Sequence, residues 1–404
     1  MKTKLFTTEI EEPAALLKNG GLVAVPTETV YGLACNGLDR KAVERVYDVK
    51  GRPAVKPISL MVSNSNDIEK YCENIPKAAY HLANQFWPGP LTIVLKAKKN
   101  VPEIVRAGGE TVGLRCPDHP VTLALLKGID FPLAVPSANP SGKPSPKNAD
   151  DVLAYYDGKI EAVIDGGQCG VGIESTLVDI SAIPYRILRE GALSTETIFS
   201  ALAKSMTIIG ITGGTGGGKT TALNILRDKG ALVIDCDEVY HDLLTGSKPM
   251  LRELEAAFPG AFISGMLDRK ELGKIVFSDE NLLLKLNEIT HKYVNNRVDE
   301  LLREHAANGG SIAAIDAIAL IEAGIDSKCK AVVGITAPAD MRIKRLMQRE
   351  NISEEYAAMR INAQKPDKFF EDNCDYILSN DSTIEVFVNK CENLFSKLID
   401  NDLI

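Results

Sequence analysis

Residues 213–220 read GGTGGGKT and fit G-x-x-x-x-G-K-[ST], a spacing that brings phosphate chemistry to one short loop. Glycines at this density let backbone N–H groups converge on phosphate oxygens with no Cβ in the way. The helix that follows turns its positive end to the same place. Gly213, Gly214, Thr215, Gly216, Gly217, Gly218, Lys219, Thr220 and Thr221 are therefore the candidate ATP-phosphate residues. Lys219 would bridge the β- and γ-phosphates, and the Thr220 hydroxyl would ligate Mg²⁺. A β-branched strand before the loop (TIIGIT, 207–212) and a helical stretch after it (ALNILRDKG) separate this motif from a chance Gly-rich turn. Farther on, ALVIDCDEVYHDLL (231–244) reads as a buried strand ending in Asp235 and Asp237. Acids at the carboxyl end of a strand beside a phosphate loop face the phosphates in doubly wound sheets. One of the two can take a proton from an acceptor hydroxyl; the other orders metal or water, or caps the next helix.

The first half has no familiar nucleotide fingerprint. It has short polar motifs, each at the end of an apolar run. AVPTETVYGLACN (24–36) places Thr27, Thr29 and Tyr31 on alternate residues, hence on one strand face. Lys50 and Arg52 follow a helix in VKGRPAVKPISLMV (49–62), and TVGLRCPDHP (111–120) offers Arg115. VPSANPSGKPSP (135–146) offers Ser137 and Asn139, ESTLVD (174–179) Ser175 and Thr176, and ILREGA (187–192) Arg189. Singly, each motif reads as a proline turn or solvated surface charge. Together they supply three arginines, a lysine and several hydroxyls from loops, which suits an anionic ligand in a cleft.

The elements that must position these groups read as α/β throughout. In the first half, helical stretches 39–49 and 76–87 separate short apolar runs at 22–26, 91–95 and 131–136. Residues 191–205 read as a terminal helix, with Ser194 or Thr195 able to receive its first-turn amides. Met206 then starts a fresh strand with almost no linker, so the chain divides into 1–205 and 206–404, two proteins fused in frame. Apolar residues make up 45% and charged residues 25%, ordinary for globular protein with full cores. No apolar run approaches the ~18 residues of a membrane span, and acids stand where an export signal would have its apolar core. The eight cysteines are scattered with no C-x-x-C pair, the pattern of reduced thiols in a cytoplasmic protein. Residues 1–205 hold 23 basic and 23 acidic side chains, so the whole net charge of −8 lies in the remainder. Neither half has the basic excess of a protein that grips nucleic acid, so direct tRNA binding is not expected.

The second half resembles dephospho-coenzyme A kinase over essentially 206–400. The likeness lies in ITGGTGGGKTT, VIDCDEVYHDLL, ITHKYV (289–294), RLMQRENISEEYAAMRINAQ (345–364) and CDYILSND (374–381). It implies a parallel sheet with helices on both faces, a helical lid, and transfer of phosphate from ATP to the ribose 3′-hydroxyl of dephospho-CoA. It also implies that Asp237 is the general base, that Arg345, Arg349 and Arg360 hold ATP phosphates, and that Asp235, His291 and Glu322 lie on the acceptor side. The same arginines could instead pair with Glu350, Glu354 and Glu355 on an amphipathic helix. Two departures fall on the acceptor side: Lys292 replaces the family's proline, and AIALIEAG (317–324) retains Glu322 but no proline.

The first half is similar to the YrdC/Sua5 family of threonylcarbamoyl-AMP synthases over nearly all of 5–200, through PTETVYGL, KGRP, SANPSG and EST. That implies a twisted mixed sheet with a central cleft, and condensation of L-threonine, bicarbonate and ATP to threonylcarbamoyl-AMP and diphosphate, toward t6A in tRNA. Lys50 and Arg52 would then meet the triphosphate and bicarbonate, Ser137 and Asn139 the nucleotide, and Thr27 the threonine. Arg115, Ser175 and Arg189 would line the nucleotide cleft, and the tRNA threonylcarbamoyl-transfer proteins become candidate partners. Two other readings of this half differ in class. An RNA-binding or ribosome-maturation module is opposed by its neutral charge. A carbamoyl-transfer domain of the hydrogenase-maturation type would carry acylphosphatase and zinc-finger regions not found in this sequence.

Overall fold

The computed structural model describes residues 2–400. The chain divides into two compact units between Leu202 and Ala203, the first also taking in Ala307–Gly309.

Ten strands build the first unit: β1 (Lys4–Phe6), β2 (Val23–Val25), β3 (Gly32–Asn36), β4 (Leu60–Met61), β5 (Leu91–Lys96), β6 (Thr111–Arg115), β7 (Leu133–Ala134), β8 (Ala162–Ile164), β9 (Thr176–Asp179) and β10 (Arg186–Arg189). They form one mixed sheet in the order β1-β8-β2-β3-β7-β4-β6-β5-β9-β10. The polar motifs fall at the strand ends because the central strands bury apolar side chains along their length, as in Leu91, Ile93 and Leu95 of β5. Helix Arg40–Lys50 starts on Asp39, whose carboxylate accepts from Lys41 N and Ala42 N, and stops at Gly51, which is left-handed at φ 58°. That turn leaves Lys50 buried on the last helical turn and sends Arg52 onward into a loop.

One expectation fails here. Residues 26–31 are not a strand face: β2 and β3 run antiparallel, so the chain must reverse between them. Thr27 and Thr29 meet through a hydroxyl turn instead. Thr27 Oγ1 accepts from Thr29 N (3.1 Å) and Val30 N (3.2 Å) and donates to Val30 O (2.7 Å).

The second unit places β11 (Thr207–Thr212) at the centre of a five-stranded sheet with β12 (Leu232–Asp235), β15 (Ile312–Asp316), β16 (Ala331–Thr336) and β17 (Tyr376–Ser379). The order is β12-β15-β11-β16-β17, and every pairing is parallel. A separate hairpin, β13 (Phe262–Ile263) with β14 (Met266–Leu267), belongs to a helical region closed by the long helix Glu280–Ala307. Helix Lys219–Asp228 buries Ala222, Leu223 and Leu226 against β11, and Phe387 and Phe395 of helix Ile384–Asp400 complete that core. Helices Ala339–Glu350 and Glu354–Asn362 follow β16 in the stretch where the resemblance implies a lid. The helix expected over 191–205 spans Thr195–Lys204, so the division at Leu202 falls within its last turn, and Ser194 Oγ accepts from Thr197 N at 3.1 Å. No helix among the described residues is long and apolar enough to cross a membrane. All eight cysteines are unpaired.

Phe395 is fully buried in the sheet-flanking core. Phe395→Ala should destabilise the second unit by about 3–5 kcal/mol, the usual cost of deleting a buried aromatic ring. Denaturant titration followed by circular dichroism should show the loss in one unfolding transition while that of the first unit stays in place.

Candidate active sites

In the first unit the strand ends surround a cavity of about 150 Å³ walled by Arg52, Arg115, Ser137, Glu174, Ser175 and Arg189. Arg115 closes β6 and is buried. Its guanidinium pairs with Glu28 Oε1 (2.8 Å) and donates to Thr29 Oγ1 (2.8 Å) and Gly89 O (3.3 Å). Each threonine hydroxyl has one proton, and that of Thr27 goes to Val30 O. Thr29 is therefore the donor in the 2.9 Å Thr27–Thr29 contact, which leaves the Thr29 oxygen free to accept from Arg115. Arg189 is held by Ser175, its Nη2 lying 2.7 Å from the carbonyl and 3.3 Å from Oγ. Burial pulls Arg189 below its ordinary value; the Glu174 carboxylate opposes this, and the charges of Arg115 and Arg52 add to it. Arg52 donates to Lys56 O (3.2 Å) and Pro57 O (2.8 Å), and burial lowers it as well. Three guanidiniums thus share one cavity with the carboxylates of Glu28 and Glu174 close by, an excess of positive charge suited to a polyanion.

Lys50, Asn139 and Thr27 lie behind the cavity wall. The Lys50 ammonium donates to the carbonyls of Ser137 and Asn139, and Lys50 O accepts from Ser141 N (2.8 Å). Burial first and the charge of Arg52 second pull Lys50 down to about 7. Asn139 holds the same loop through Nδ2 to Pro140 O (3.0 Å) and Lys143 O (2.6 Å), while its buried Oδ1 has no partner among the described residues. Tyr31 fastens the cavity floor, donating to Gly167 O (2.8 Å) and accepting from Gly166 N (3.1 Å), and burial pushes its hydroxyl up to about 12. Sequence reasoning missed Glu28, Thr92 and Glu174. Glu28 sits inside the quoted PTETV motif, and Thr92 is the one hydroxyl in β5, bonded to Ser175 Oγ at 2.8 Å.

In the second unit the loop after β11 is shaped by its glycines. Gly213, Gly216 and Gly218 take φ of 137°, 80° and 117°, which L side chains avoid, and a Cβ on Gly213 would lie 2.2 Å from Ile335 O. The carbonyls of the loop are held from outside. Arg342 Nε donates to Thr215 O (3.0 Å), Arg345 Nη1 to Gly216 O (3.1 Å) and Asn380 Nδ2 to Gly217 O (2.8 Å). Lys219 Nζ rests on Gly213 O at 3.0 Å. Thr220 and Thr221 open helix Lys219–Asp228, with Thr220 exposed.

Three acids face this loop from the strand ends. Asp235 ends β12 and caps the next helix, accepting from Asp237 N (2.9 Å) and Glu238 N (3.2 Å). Asp237 stands in the first helical turn; partial burial of its carboxylate, then the charge of Asp235, raises it, against Lys219 and His241. Asp316, which sequence reasoning missed, ends β15 in register with Asp235. Burial pushes it up to about 6, Asp235 and Asp237 raising it further against Lys219, and its Oδ1 has no partner among the described residues. The signal was available: IAAID ends in an acid as VID does.

The other predicted residues divide. Arg345 reaches the loop and also donates to Asn380 Oδ1 (3.2 Å), but Arg349 pairs with the neighbouring Glu350 at 2.6 Å, and Arg360 pairs with the same carboxylate. Surface pairing, not the phosphate loop, therefore accounts for those two in this structure. His291 is lowered by burial with Glu322 opposing, so these two are brought near each other, and Asn295 ties His291 O to the turn containing Glu322 through Ala323 O. Arg269 Nη2 lies 2.8 Å from His241 Nε2, and His241 Nδ1 lies 2.9 Å from Asp237 O. The arginine is only a donor, so the imidazole proton belongs on Nδ1. Among the described residues no three His, Cys, Asp or Glu side chains gather into a metal-holding group.

Two family models match this chain. One, described as telomere recombination and named for Sua5, YciO and YrdC, covers residues 15–191; the other, dephospho-CoA kinase, covers 207–385. A threonylcarbamoyl-AMP synthase of Pyrococcus abyssi is 45% identical over 198 residues, 49% of this chain and 58% of that protein. A relative in Methanocaldococcus jannaschii, given the same activity provisionally, is 38% identical over 45% of this chain and 84% of its own length. A dephospho-CoA kinase of Moorella thermoacetica is 41% identical over 39% of this chain and 76% of that protein. The chain spans little more than half the length of the first-half relatives from Pyrococcus abyssi, Bacillus subtilis and Schizosaccharomyces pombe.

The Asp316 carboxyl stands near 6 in the folded chain against an ordinary 3.8. A raised acid favours the folded state while protonated, so its contribution is full below 3.8 and is lost as pH climbs through 6. Asp316→Asn should therefore gain stability relative to the parent between about pH 4 and pH 6 and hold that gain above it. Urea midpoints of both proteins across that range test this; parallel curves would refute it.

Proposed function

We propose that this chain, which belongs to the YrdC/Sua5 family through residues 15–191 and to the dephospho-CoA kinases through residues 207–385, joins two ATP-using enzymes in one polypeptide. We divide it functionally into 1–205 and 206–404 and assign it to the cytoplasm. The first half condenses L-threonine, bicarbonate and ATP to threonylcarbamoyl-AMP, diphosphate and water, and passes the adenylate to tRNA threonylcarbamoyl-transfer proteins making t6A. The three guanidiniums in one cavity carry this reading. The threonine amine attacks the activated bicarbonate carbon with loss of water. The resulting carbamate oxygen attacks the α-phosphorus, and diphosphate leaves. Arg52, Arg115 and Arg189 are suited to the charge that accumulates on the departing oxygens. Glu174 is the one carboxylate on its wall among the described residues, and we read the chemistry there as resting chiefly on positioning and charge.

The second half transfers the γ-phosphoryl of ATP to the ribose 3′-hydroxyl of dephospho-CoA. Asp237 takes the hydroxyl proton, a role its raised pKa favours. The 3′-oxygen bonds to the γ-phosphorus, the bond to the β,γ-bridging oxygen breaks, and ADP departs with that electron pair. Lys219 follows the charge onto the phosphates, and His291 and Glu322 border the acceptor. Mg²⁺ brought by ATP fits the residues present, because Asp316 Oδ1 is a buried acceptor with no partner among the described residues, beside a loop that ends in the Thr220 hydroxyl. Thr220 and Asp316 would hold it, and when bound it would offset phosphate charge.

Incubating the full chain with ATP, threonine, bicarbonate and dephospho-CoA and identifying products by mass tests both halves; finding neither adenylate nor coenzyme A would sink the proposal. Lys219→Ala should abolish coenzyme A formation and spare adenylate synthesis, while Arg52→Ala should do the reverse. Joint loss of both activities in either folded variant would show that the sites are not independent. Asp237→Asn keeps its shape but cannot accept a proton, so kcat for phosphorylation should fall roughly 10²–10⁴-fold with little change in ATP affinity. A larger fall in Asp235→Asn would reverse the two acids.

A further inference from the structure

We propose that Gln364 is a positioning residue that fixes the nucleotide-free shape of the phosphate loop and so sets its affinity for ATP, an inference resting on the reading of the second unit as an ATP-dependent kinase. Residues 213–218 comprise five glycines and one threonine, so the loop would be among the most freely moving segments of the chain if nothing held it. Thr215 is the only side chain in it that can be gripped, and Gln364, two residues beyond helix Glu354–Asn362, grips it twice. Oε1 accepts from Thr215 N at 2.9 Å, and Nε2 donates to Thr215 Oγ1 at 2.6 Å.

The orientation of this amide is forced by its surroundings. Thr215 N and Arg342 Nη2 (2.8 Å) are both donors, so the atom between them is the oxygen. Arg342 also takes the other face of the same residue through Thr215 O at 3.0 Å. The flanking glycines leave room for this clamp: a Cβ on Gly214 would lie 2.1 Å from Arg342 Nη2, and one on Gly216 3.0 Å from Arg342 O. Arg342 is itself buried, and burial lowers it against the opposing Asp367 carboxylate at 3.7 Å. Turning the peptides on either side of Thr215 would therefore break bonds to two side chains at once. ATP meets a loop whose ordering is largely done before binding, which is the general route by which preorganisation strengthens affinity.

Gln364→Met removes both bonds to Thr215 and the one from Arg342 Nη2 at nearly constant length, and Thr215→Val removes only the hydroxyl. In the full chain, equilibrium dialysis should show ATP bound about tenfold more weakly by Gln364→Met and about threefold more weakly by Thr215→Val, the scale of the hydrogen bonds each change removes. The double variant should be no weaker than Gln364→Met alone, because both changes break one contact. Amide hydrogen exchange in the peptide containing 213–220 should quicken in nucleotide-free Gln364→Met. At saturating ATP, kcat of Gln364→Met for phosphorylation should stay within about twofold of the parent. Unchanged affinity and exchange, or fully additive losses in the double variant, would overturn the proposal. A fall in kcat at unchanged affinity would also overturn it, by making Gln364 a contact of the reacting groups. A parent chain that binds ATP yet leaves dephospho-CoA untouched would sink the kinase reading, while the binding and exchange measurements would still judge Gln364.

Discussion

Backbone amides can point together at an anion only if the carbonyls of the same peptides are satisfied on the other side. In the second unit that condition is met by three side chains from well beyond the loop. Arg342, Arg345 and Asn380 take the carbonyls of Thr215, Gly216 and Gly217 in turn. The glycines are a consequence of this approach as much as of the phosphate, since a Cβ on Gly218 would lie 2.4 Å from Asn380 Nδ2. The parallel sheet serves the same end. It brings β16 and β17 alongside β11, so the segments that follow them pass the loop with these donors.

The first unit meets an anion by another route. Among the described residues its cavity is lined by no glycine-dense loop like 213–218, so charge comes from side chains, and desolvated cations near one another repel. The wall answers with local pairing: Glu28 on Arg115, the Ser175 carbonyl on Arg189, and the carbonyls of Lys56 and Pro57 on Arg52. Each guanidinium is fixed by these bonds while part of its fork stays available, which a planar five-donor group allows.

Local signals were legible in the sequence wherever the determinant is local. The β-branched run 207–212, the helix expected over 39–49 and the Ser194 cap each stand close to where the structure has them, because a strand or a first helical turn is decided within a few residues. The alternation at Thr27, Thr29 and Tyr31 misled because alternation is also what a tight hydroxyl turn shows, and only the pairing of β2 with β3 tells the two apart. Arg342, Gln364 and Asn380 were out of reach, lying more than a hundred residues from the loop that gives them their role. Arg345 and Arg349 share one helical face, yet only the first reaches the loop, since Glu350 beside the second offers a nearer partner.

Lys50 shows what a choice between ligand contact and surface charge leaves out. It is 3% exposed, so it is not a solvated cation, and its amine is turned to the carbonyls of Ser137 and Asn139 behind the cavity wall. Two carbonyls need two N–H bonds, which even a neutral amine can supply. A pKa near 7 therefore does not undo the brace: on losing its proton the side chain keeps enough donors for both partners. The same desolvation acts on Arg52 and Arg189, but a guanidinium lowered from so high a starting value stays charged. Burial thus sorts the cations of this site by chemistry. The lysine, whose charge is conditional, holds a loop in place, and the arginines, whose charge is not, face the cavity where the charge has to be.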